Sequence, residues 1–307
     1  MRAFVVAVFL VCLTVAYAAA DIADDLRAII ADDAQHGDLA RTKLAFDRLI
    51  DPSIDTAAAM RAVDKIVADV RQMTLPGASN WDIAQILRMV IYAPGPWNEN
   101  RPFAYDHDDP LGLQTQNRLL SDYLKDRRGN CITMPFLFLI AGERLGLDMT
   151  AGLAPLHVFV RFTDDAGVTH NLEATSGAGR TRDSHYLQHL PMTDRAIESG
   201  IYLRSLTREE LVAVMAVSVA EHLMDRGRHQ EALETLKVIL SEYPQYAYAM
   251  VKQGTAAYHL IQSEFRSRYP RSEHIPRPLW PRLQHLQTIN QTTFDAAEAL
   301  GWRPFKP

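Results

Sequence analysis

The sequence predicts an α+β fold in which helices surround a small antiparallel sheet. Apolar residues recur at helical spacing over most of the chain, for example in "TAAAMRAVDKIVADVRQM". Two shorter segments, "LHVFVRF" and "VTHNLEAT", instead alternate between apolar and polar residues, which is typical of strands. Because the segment "TDDAG" separates them, the two strands are predicted to form an antiparallel hairpin.

The composition is that of a folded protein with one large domain or two ordinary ones. Of the 307 residues, 48% are hydrophobic and 22% are charged, which is not a signature of disorder. The formal net charge is -5 and the sequence pI is near 6.1. Nucleic-acid binding needs clustered Lys and Arg, and the sequence contains no basic stripe, so we expect no nucleic-acid partner.

The beginning of the chain predicts a secretory signal peptide over residues 1–20. Arg2 precedes an apolar run at residues 3–15, and small residues follow that match cleavage between Ala18 and Ala20. The run is too short for a membrane-spanning helix, although an uncleaved anchor is the alternative. We therefore expect an exported protein, periplasmic or secreted, with no membrane partner after the signal peptide is removed.

The segment "RRGNCITMPFLFLIAGERLGL" predicts a buried helix that carries a cysteine at its start. The residues from Phe136 to Ile140 are apolar on every face, which indicates a helix in the centre of a domain. Pro135 fits only in the first turn, so the helix is expected to begin near Cys131. Without the signal peptide Cys131 is the single cysteine left, so it is buried, bonded to another chain or chemically used.

Cys131, His157 and Glu173 form a candidate set of nucleophile, base and orienting acid. A helix N-terminus favours a thiolate, and its amides could stabilise an oxyanion. A hairpin turning around Asp165 would place His157 directly opposite Glu173, with Asn171 as a diagonal neighbour on the same face. A shift of one residue would put the two side chains on opposite faces, so this register is a specific prediction.

The segments "RRGNC", "PLHVFVRF" and "HNLEATSG" resemble the transglutaminase-like branch of the papain-like cysteine superfamily, from about Leu111 to Gly177. More narrowly, the chain is similar to exported bacterial transglutaminase-like proteins with a tetratricopeptide tail. The resemblance implies an α+β core and acyl transfer from a peptide or amide through a thioester. Glu173 stands where the family usually has Asp, and its side chain is one methylene longer.

The segment "EHLMDRGRHQEALETLKVILSEYP" resembles a tetratricopeptide repeat. Ala220, Gly227, Ala232 and Pro244 lie where that helical hairpin has small residues, a turn and an end. A partial second copy follows, and a plain helical hairpin is the alternative. The predicted organisation is therefore a helical segment at 21–100, a transglutaminase-like catalytic core at 101–205, and a tetratricopeptide-like region at 206–307 that could bind a protein partner.

Other polar residues near the core are weaker candidates. "YDHDDP" at residues 105–110 offers metal ligands, but its spacing is not that of an EF-hand, and a polar turn near the cleft is the favoured interpretation. No Gly-rich phosphate loop, paired CxxC or HExxH motif is present, so we expect neither a metal nor a cofactor. Gln114, Gln116 or Asn117 could donate to an oxyanion, and Asn171 is a further candidate for that role or for orienting the base.

The sequence therefore predicts thiol-dependent acyl transfer or hydrolysis on a peptide or glutamine-type amide, with a peptide or protein as substrate. Whether water or an amine resolves the thioester is left open. The alternative is a catalytically inactive scaffold that binds a protein with the same fold and its tail, in which Cys131 is an inert core cysteine. A peptidoglycan-directed amidase is a third interpretation, prompted by the expected location alone.

Overall fold

The computed structural model describes residues 22–305. These residues are mostly helical and carry two small sheets, which confirms the predicted α+β class. The predicted signal peptide at residues 1–20 lies outside the described residues. Within residues 22–305, no helix has the length and apolar character needed to cross a membrane.

The chain divides into two compact units. The first contains Asp33–Val212 and residues 301–305, and it includes all three predicted site residues. The second contains Ala213–Leu300 and residues 22–32.

The first unit contains the last four residues of helix α1 and a series of later helices. Helix α1 spans residues 22–36, and the following α-helices are α2 (Leu39–Ile50), α3 (Thr56–Met73), α4 (Asn80–Tyr92), α5 (Leu120–Asp126), α6 (Thr133–Arg144), α7 (Asp183–His189) and α8 (Asp194–Glu198). Every residue of α6 from Thr133 to Gly142 is buried, as its all-apolar sequence predicts. Pro135 is the third residue of α6, where its missing N–H leaves no helical hydrogen bond unmade.

A four-stranded antiparallel sheet lies in the same unit. Its strands are adjacent in chain order: β3 (Asp148–Ala154), β4 (His157–Thr163), β5 (Thr169–Glu173) and β6 (Gly179–Thr181). A separate pair of two-residue strands, β1 (Ala104–Tyr105) and β2 (Arg128–Gly129), runs parallel. The sequence predicts only β4 and β5, because "DMTAGLA" in β3 lacks clear alternation and β6 is only three residues long.

The register of the β4–β5 hairpin differs from the prediction by two residues. Arg161 pairs with Asn171, so the predicted direct pairing of His157 with Glu173 is wrong. The Asp164 carboxylate accepts hydrogen bonds from the backbone of Ala166 and Val168, which centres the turn one residue later than expected. Since side chains alternate with a period of two, this shift leaves each residue on its predicted face.

A buried ion pair connects α2 to the start of α5. Lys43 and Asp47 lie one helical turn apart, and their side chains are 1% and 0% exposed. Lys43 also donates to the carbonyl of Arg118 at 3.0 Å, and the other Asp47 oxygen accepts from the backbone of Leu120 at 2.8 Å. Because both charges are excluded from water, each depends on the other and on these backbone contacts.

The second unit is helical. Its elements are the greater part of α9 (Arg208–Asp225), then α10 (His229–Glu242), α11 (Ala247–Ile261) and α12 (Trp280–Ala299). Ala220 and Ala232 are fully buried, and Gly227 has φ +71° in the turn between α9 and α10. Pro244 lies two residues after the end of α10.

Replacing Asp47 with Ala is expected to lower the free energy of unfolding by about 3–5 kcal/mol, because it leaves Lys43 buried without its counter-ion. The matched control is Asp69→Ala, which removes an exposed Lys–Asp pair of the same spacing, Lys65–Asp69. The control should cost less than about 1 kcal/mol. Urea unfolding of both variants tests this, and equal costs would contradict the importance assigned to the buried pair.

Candidate active site

Cys131 lies two residues before the first residue of α6, and only 4% of its surface is exposed. The fully buried Asn130 holds the chain at the start of α6, since its Oδ1 accepts from the backbone N–H groups of Ile132 at 3.0 Å and Thr133 at 3.2 Å. These two amides are therefore committed to Asn130. The Cys131 sulfur lies 3.6 Å from the carbonyl oxygen of Leu156, the residue before β4.

His157 and Glu173 contact each other across β4 and β5. The distance between His157 Nε2 and Glu173 Oε2 is 2.8 Å. When the observed β4–β5 pairing is continued by one residue, Glu173 lies opposite Phe159. Glu173 is therefore a diagonal neighbour of His157 and does not lie directly across from it. The diagonal separation is greater than the direct one, and the longer arm of Glu covers it.

The buried Glu173 carboxylate accepts hydrogen bonds from three side chains. One oxygen accepts from the Thr175 hydroxyl at 2.5 Å and from the Thr175 backbone at 3.1 Å. The other accepts from the Tyr186 hydroxyl at 2.8 Å and contacts His157. Burial by itself would raise the pKa of Glu173, but His157, Thr175 and Tyr186 stabilise the anion and lower that pKa to about 2.

The imidazole of His157 lies between the thiol and the carboxylate. Burial by itself would lower the pKa of His157, but its contacts with Cys131 and Glu173 outweigh burial and raise that pKa to about 9. Nε2 is held by Glu173, which leaves Nδ1 as the ring nitrogen for the contact with the Cys131 side chain. The structure thus brings Cys131, His157 and Glu173 together in that order.

Comparison with protein families gives a match over residues 57–215, to the transglutaminase-like superfamily. This match covers more than half of the 307 residues and all three site residues. The chain belongs to the transglutaminase-like superfamily. The match begins at residue 57, which lies inside the predicted N-terminal helical segment at 21–100. A comparison with curated proteins found no match, and neither did one with solved structures.

Tyr186 is a residue of this transglutaminase-like site that the sequence did not indicate. It lies on α7, in a stretch where no periodic pattern predicts an element. Its ring stacks on Phe159 with centroids 4.3 Å apart, and Phe159 in turn lies over Gly152 on β3. A Cβ atom on Gly152 would come within 2.4 Å of the Phe159 ring, so only glycine leaves room for this stack.

Burial and the neighbouring Glu173 raise the pKa of Tyr186, so the hydroxyl keeps its proton and donates to the carboxylate. Thr175 is a second residue in contact with Glu173 that the sequence did not indicate, although it is only two residues away in the chain. A hydroxyl close in sequence to a buried acid is the signal that could have indicated it.

The predicted oxyanion and orienting candidates make other contacts. Asn171 accepts from Arg161 at 3.0 Å and donates to Asp183 at 2.6 Å, so it connects β4, β5 and α7. The Asn117 side chain donates to Asp109 at 2.8 Å, and the backbone carbonyl of Asn117 accepts from the Asn130 side chain. Gln114 binds Asp109 through its backbone N–H, and Gln116 is exposed on a 3-10 turn.

The acidic segment at residues 105–110 is held by protein donors. Arg128 binds Asp106 at 2.7 Å and Asp108 at 2.9 Å. Asp109 accepts from the backbone of Leu113 and Gln114 as well as from Asn117. Over residues 22–305, no group of three or more His, Cys, Asp or Glu residues is arranged to hold a metal ion.

The contribution of the His157–Glu173 pair to stability is expected to depend on pH. The pKa of Glu173 falls from 4.5 to about 2 on folding, so its contribution is complete above about pH 4.5 and is lost as the pH falls towards 2. The pKa of His157 rises from 6.5 to about 9, so its contribution is complete below about pH 6.5 and is lost as the pH rises through 9.

Urea unfolding of the wild type and of Glu173→Gln at about pH 5.5 and about pH 9.5 measures this effect. The variant should lose more stability at the lower pH, where wild-type His157 and Glu173 are both charged. A difference that is equal at the two pH values would contradict the assigned ionisation of the pair.

Proposed function

We propose that this transglutaminase-like protein catalyses thiol-dependent acyl transfer or hydrolysis on a peptide or glutamine-type amide. The contact that supports this best is the 2.8 Å contact between His157 Nε2 and Glu173 Oε2, in a buried setting next to Cys131. Nucleophilic thiol catalysis needs an ionised sulfur, a base within reach and a group that orients the base. These three residues supply those three functions.

In the proposed reaction, His157 takes the proton of the Cys131 thiol at Nδ1. The thiolate attacks the amide carbonyl carbon and forms a C–S bond, and the carbonyl becomes an oxyanion. His157 then gives its proton to the leaving nitrogen as the C–N bond breaks, which releases ammonia or an amine and leaves a thioester. Water or a primary amine, deprotonated by His157, attacks the thioester and frees Cys131.

Glu173 remains an anion throughout this cycle. Its lowered pKa means that it does not take up the proton of His157, and its contact with Nε2 keeps the proton on that nitrogen in the neutral imidazole. The raised pKa of His157 favours imidazolium in the resting protein, and an adjacent imidazolium favours a thiolate.

The test is the reactivity of Cys131 in the wild type, His157→Gln and Glu173→Gln. Iodoacetamide should alkylate wild-type Cys131 at about pH 6 faster than in either variant, because ordinary thiols are protonated there. Acyl transfer should fall by about 10²-fold or more in His157→Gln. The matched control is His189→Gln, which changes an exposed histidine on α7 and should leave both rates unchanged.

Ammonia release from glutamine-containing peptides reports the first half of the reaction, and incorporation of a dansylated primary amine distinguishes transfer from hydrolysis. If His157→Gln alkylates as fast as the wild type, or Cys131→Ala still releases ammonia, the proposed chemistry is wrong. Mass mapping of the alkylated protein identifies the modified residue.

The burial of Cys131 favours a second function, a catalytically inactive scaffold. Such a protein would bind a partner through its fold and its C-terminal region at 206–307. The buried Ala220 and Ala232 and the turn at Gly227 support a tetratricopeptide-like hairpin there. A folded Cys131→Ala protein that keeps its cellular phenotype would favour the scaffold, and one that loses the phenotype would favour chemistry.

The proposal that this protein is exported rests on residues 1–20 alone. Their positively charged start, apolar run and small residues match a cleavable signal peptide, which would deliver the protein to the periplasm or the medium. Intact mass measurement of protein recovered outside the cytoplasm should give a chain that begins after Ala18 or Ala20. Recovery of the full chain from the cytoplasm alone would contradict export.

A further inference from the structure

Tyr105 and Cys131 direct two hydrogen-bond donors at one carbonyl oxygen. The Tyr105 hydroxyl lies 3.4 Å from the carbonyl oxygen of Pro110. The backbone nitrogen of Cys131, which adjoins the nucleophilic sulfur, lies 3.4 Å from the same oxygen. Tyr105 pairs with Gly129 in the parallel ladder of β1 and β2. Because Gly129 is two residues before Cys131, this pairing holds Tyr105 beside Cys131.

Both distances are longer than ordinary hydrogen bonds, which have donor–acceptor distances of about 2.7–3.2 Å. The Pro110 carbonyl is therefore held weakly between the two donors. A tetrahedral intermediate on the Cys131 sulfur would carry its negative oxygen close to the Cys131 N–H, because that amide and the sulfur belong to one residue. An oxygen anion is a stronger acceptor than the Pro110 carbonyl and would shorten both contacts.

We propose that the Tyr105 hydroxyl and the Cys131 N–H form the oxyanion hole of this site, and that the Pro110 carbonyl fills it in the substrate-free protein. This assignment rests on the proposed function, since it concerns the same thiol chemistry. Tyr105 acts as a catalytic residue here, because it contacts the reacting oxygen. Donors that are already in place before the reaction stabilise the developing charge without further reorganisation.

The surroundings of Tyr105 favour the protonated form of its hydroxyl, which can donate a hydrogen bond. Burial raises the pKa of the half-buried Tyr105, and the neighbouring Cys131 and Glu173 raise it further. The phenol therefore keeps its proton at neutral pH and can donate a hydrogen bond. The Tyr105 ring also meets the His107 ring edge-on, with centroids 5.1 Å apart and planes at 85°, which holds it in place.

The alternative donors near the sulfur make other contacts. Asn130 accepts from the next two amides of the helix, Ile132 and Thr133. The cationic Arg128 is bound to Asp106 and Asp108, at 2.7 and 2.9 Å. These contacts, with the backbone N–H of Asp106 bound to the Gly129 carbonyl at 2.6 Å, also hold the chain that follows Tyr105.

The test compares two reactions of Cys131 that differ in one feature. Iodoacetamide alkylates a thiolate by displacement of iodide and creates no oxyanion. p-Nitrophenyl acetate acylates it through a tetrahedral oxyanion: the C–S bond forms, the C–O bond breaks, and p-nitrophenolate leaves. Tyr105→Phe should lower the acylation kcat about 10²-fold with little change in KM, and leave the alkylation rate unchanged.

The matched control is Tyr258→Phe, which changes a 45% exposed tyrosine on α11 and should alter neither reaction. If Tyr105→Phe acylates at the wild-type rate, the oxyanion assignment is overturned while the proposed thiol chemistry stands. If both reactions fall equally, Tyr105 is structural and the assignment is again overturned. If wild-type acylation does not exceed that of Cys131→Ala, the proposed function itself fails, and this assignment with it.

Discussion

The contact between an ionised Glu173 and His157 is the interaction on which the rest of this site depends. A buried carboxylate costs several kcal/mol unless donors surround it. Here His157, Thr175 and Tyr186 supply those donors, and the pKa of Glu173 falls accordingly. In return, the anion raises the pKa of His157 and directs the other ring nitrogen to Cys131. Without this charge, the imidazole would have neither its orientation nor its affinity for a proton.

Packing within the core holds that contact in place. The absence of a side chain at Gly152 admits Phe159, and Phe159 supports the ring of Tyr186, whose hydroxyl reaches Glu173. Asn130 binds the two amides that follow Cys131 at the start of α6, and the Cys131 N–H makes one long contact. Stable secondary structure thus surrounds a candidate site in which the Cys131 N–H has only a long contact to the Pro110 carbonyl.

The β4–β5 hairpin shows which structural features a sequence pattern can predict and which it cannot. Alternation correctly placed His157 and Glu173 on one face, because side-chain direction follows from the period of two alone. It could not give the register, because the carboxylate of Asp164 organises the turn and moves the pairing by two residues. The extra methylene of Glu relative to the Asp usual in the family matches the diagonal separation that results. A residue that departs from its family pattern is thus explained by the observed geometry.

The sequence by itself determined the α+β class, the buried helix after Cys131, and the three residues to examine. Each of these follows from local information: hydrophobic period, the position of Pro135 and residue type. Only the tertiary structure decided the hairpin register, the strands β3 and β6, and the contacts of Tyr105 and Tyr186 with the site. Those features depend on residues far apart in the chain, such as Gly152 and Tyr186, whose proximity results from packing and leaves no periodic signal in the sequence.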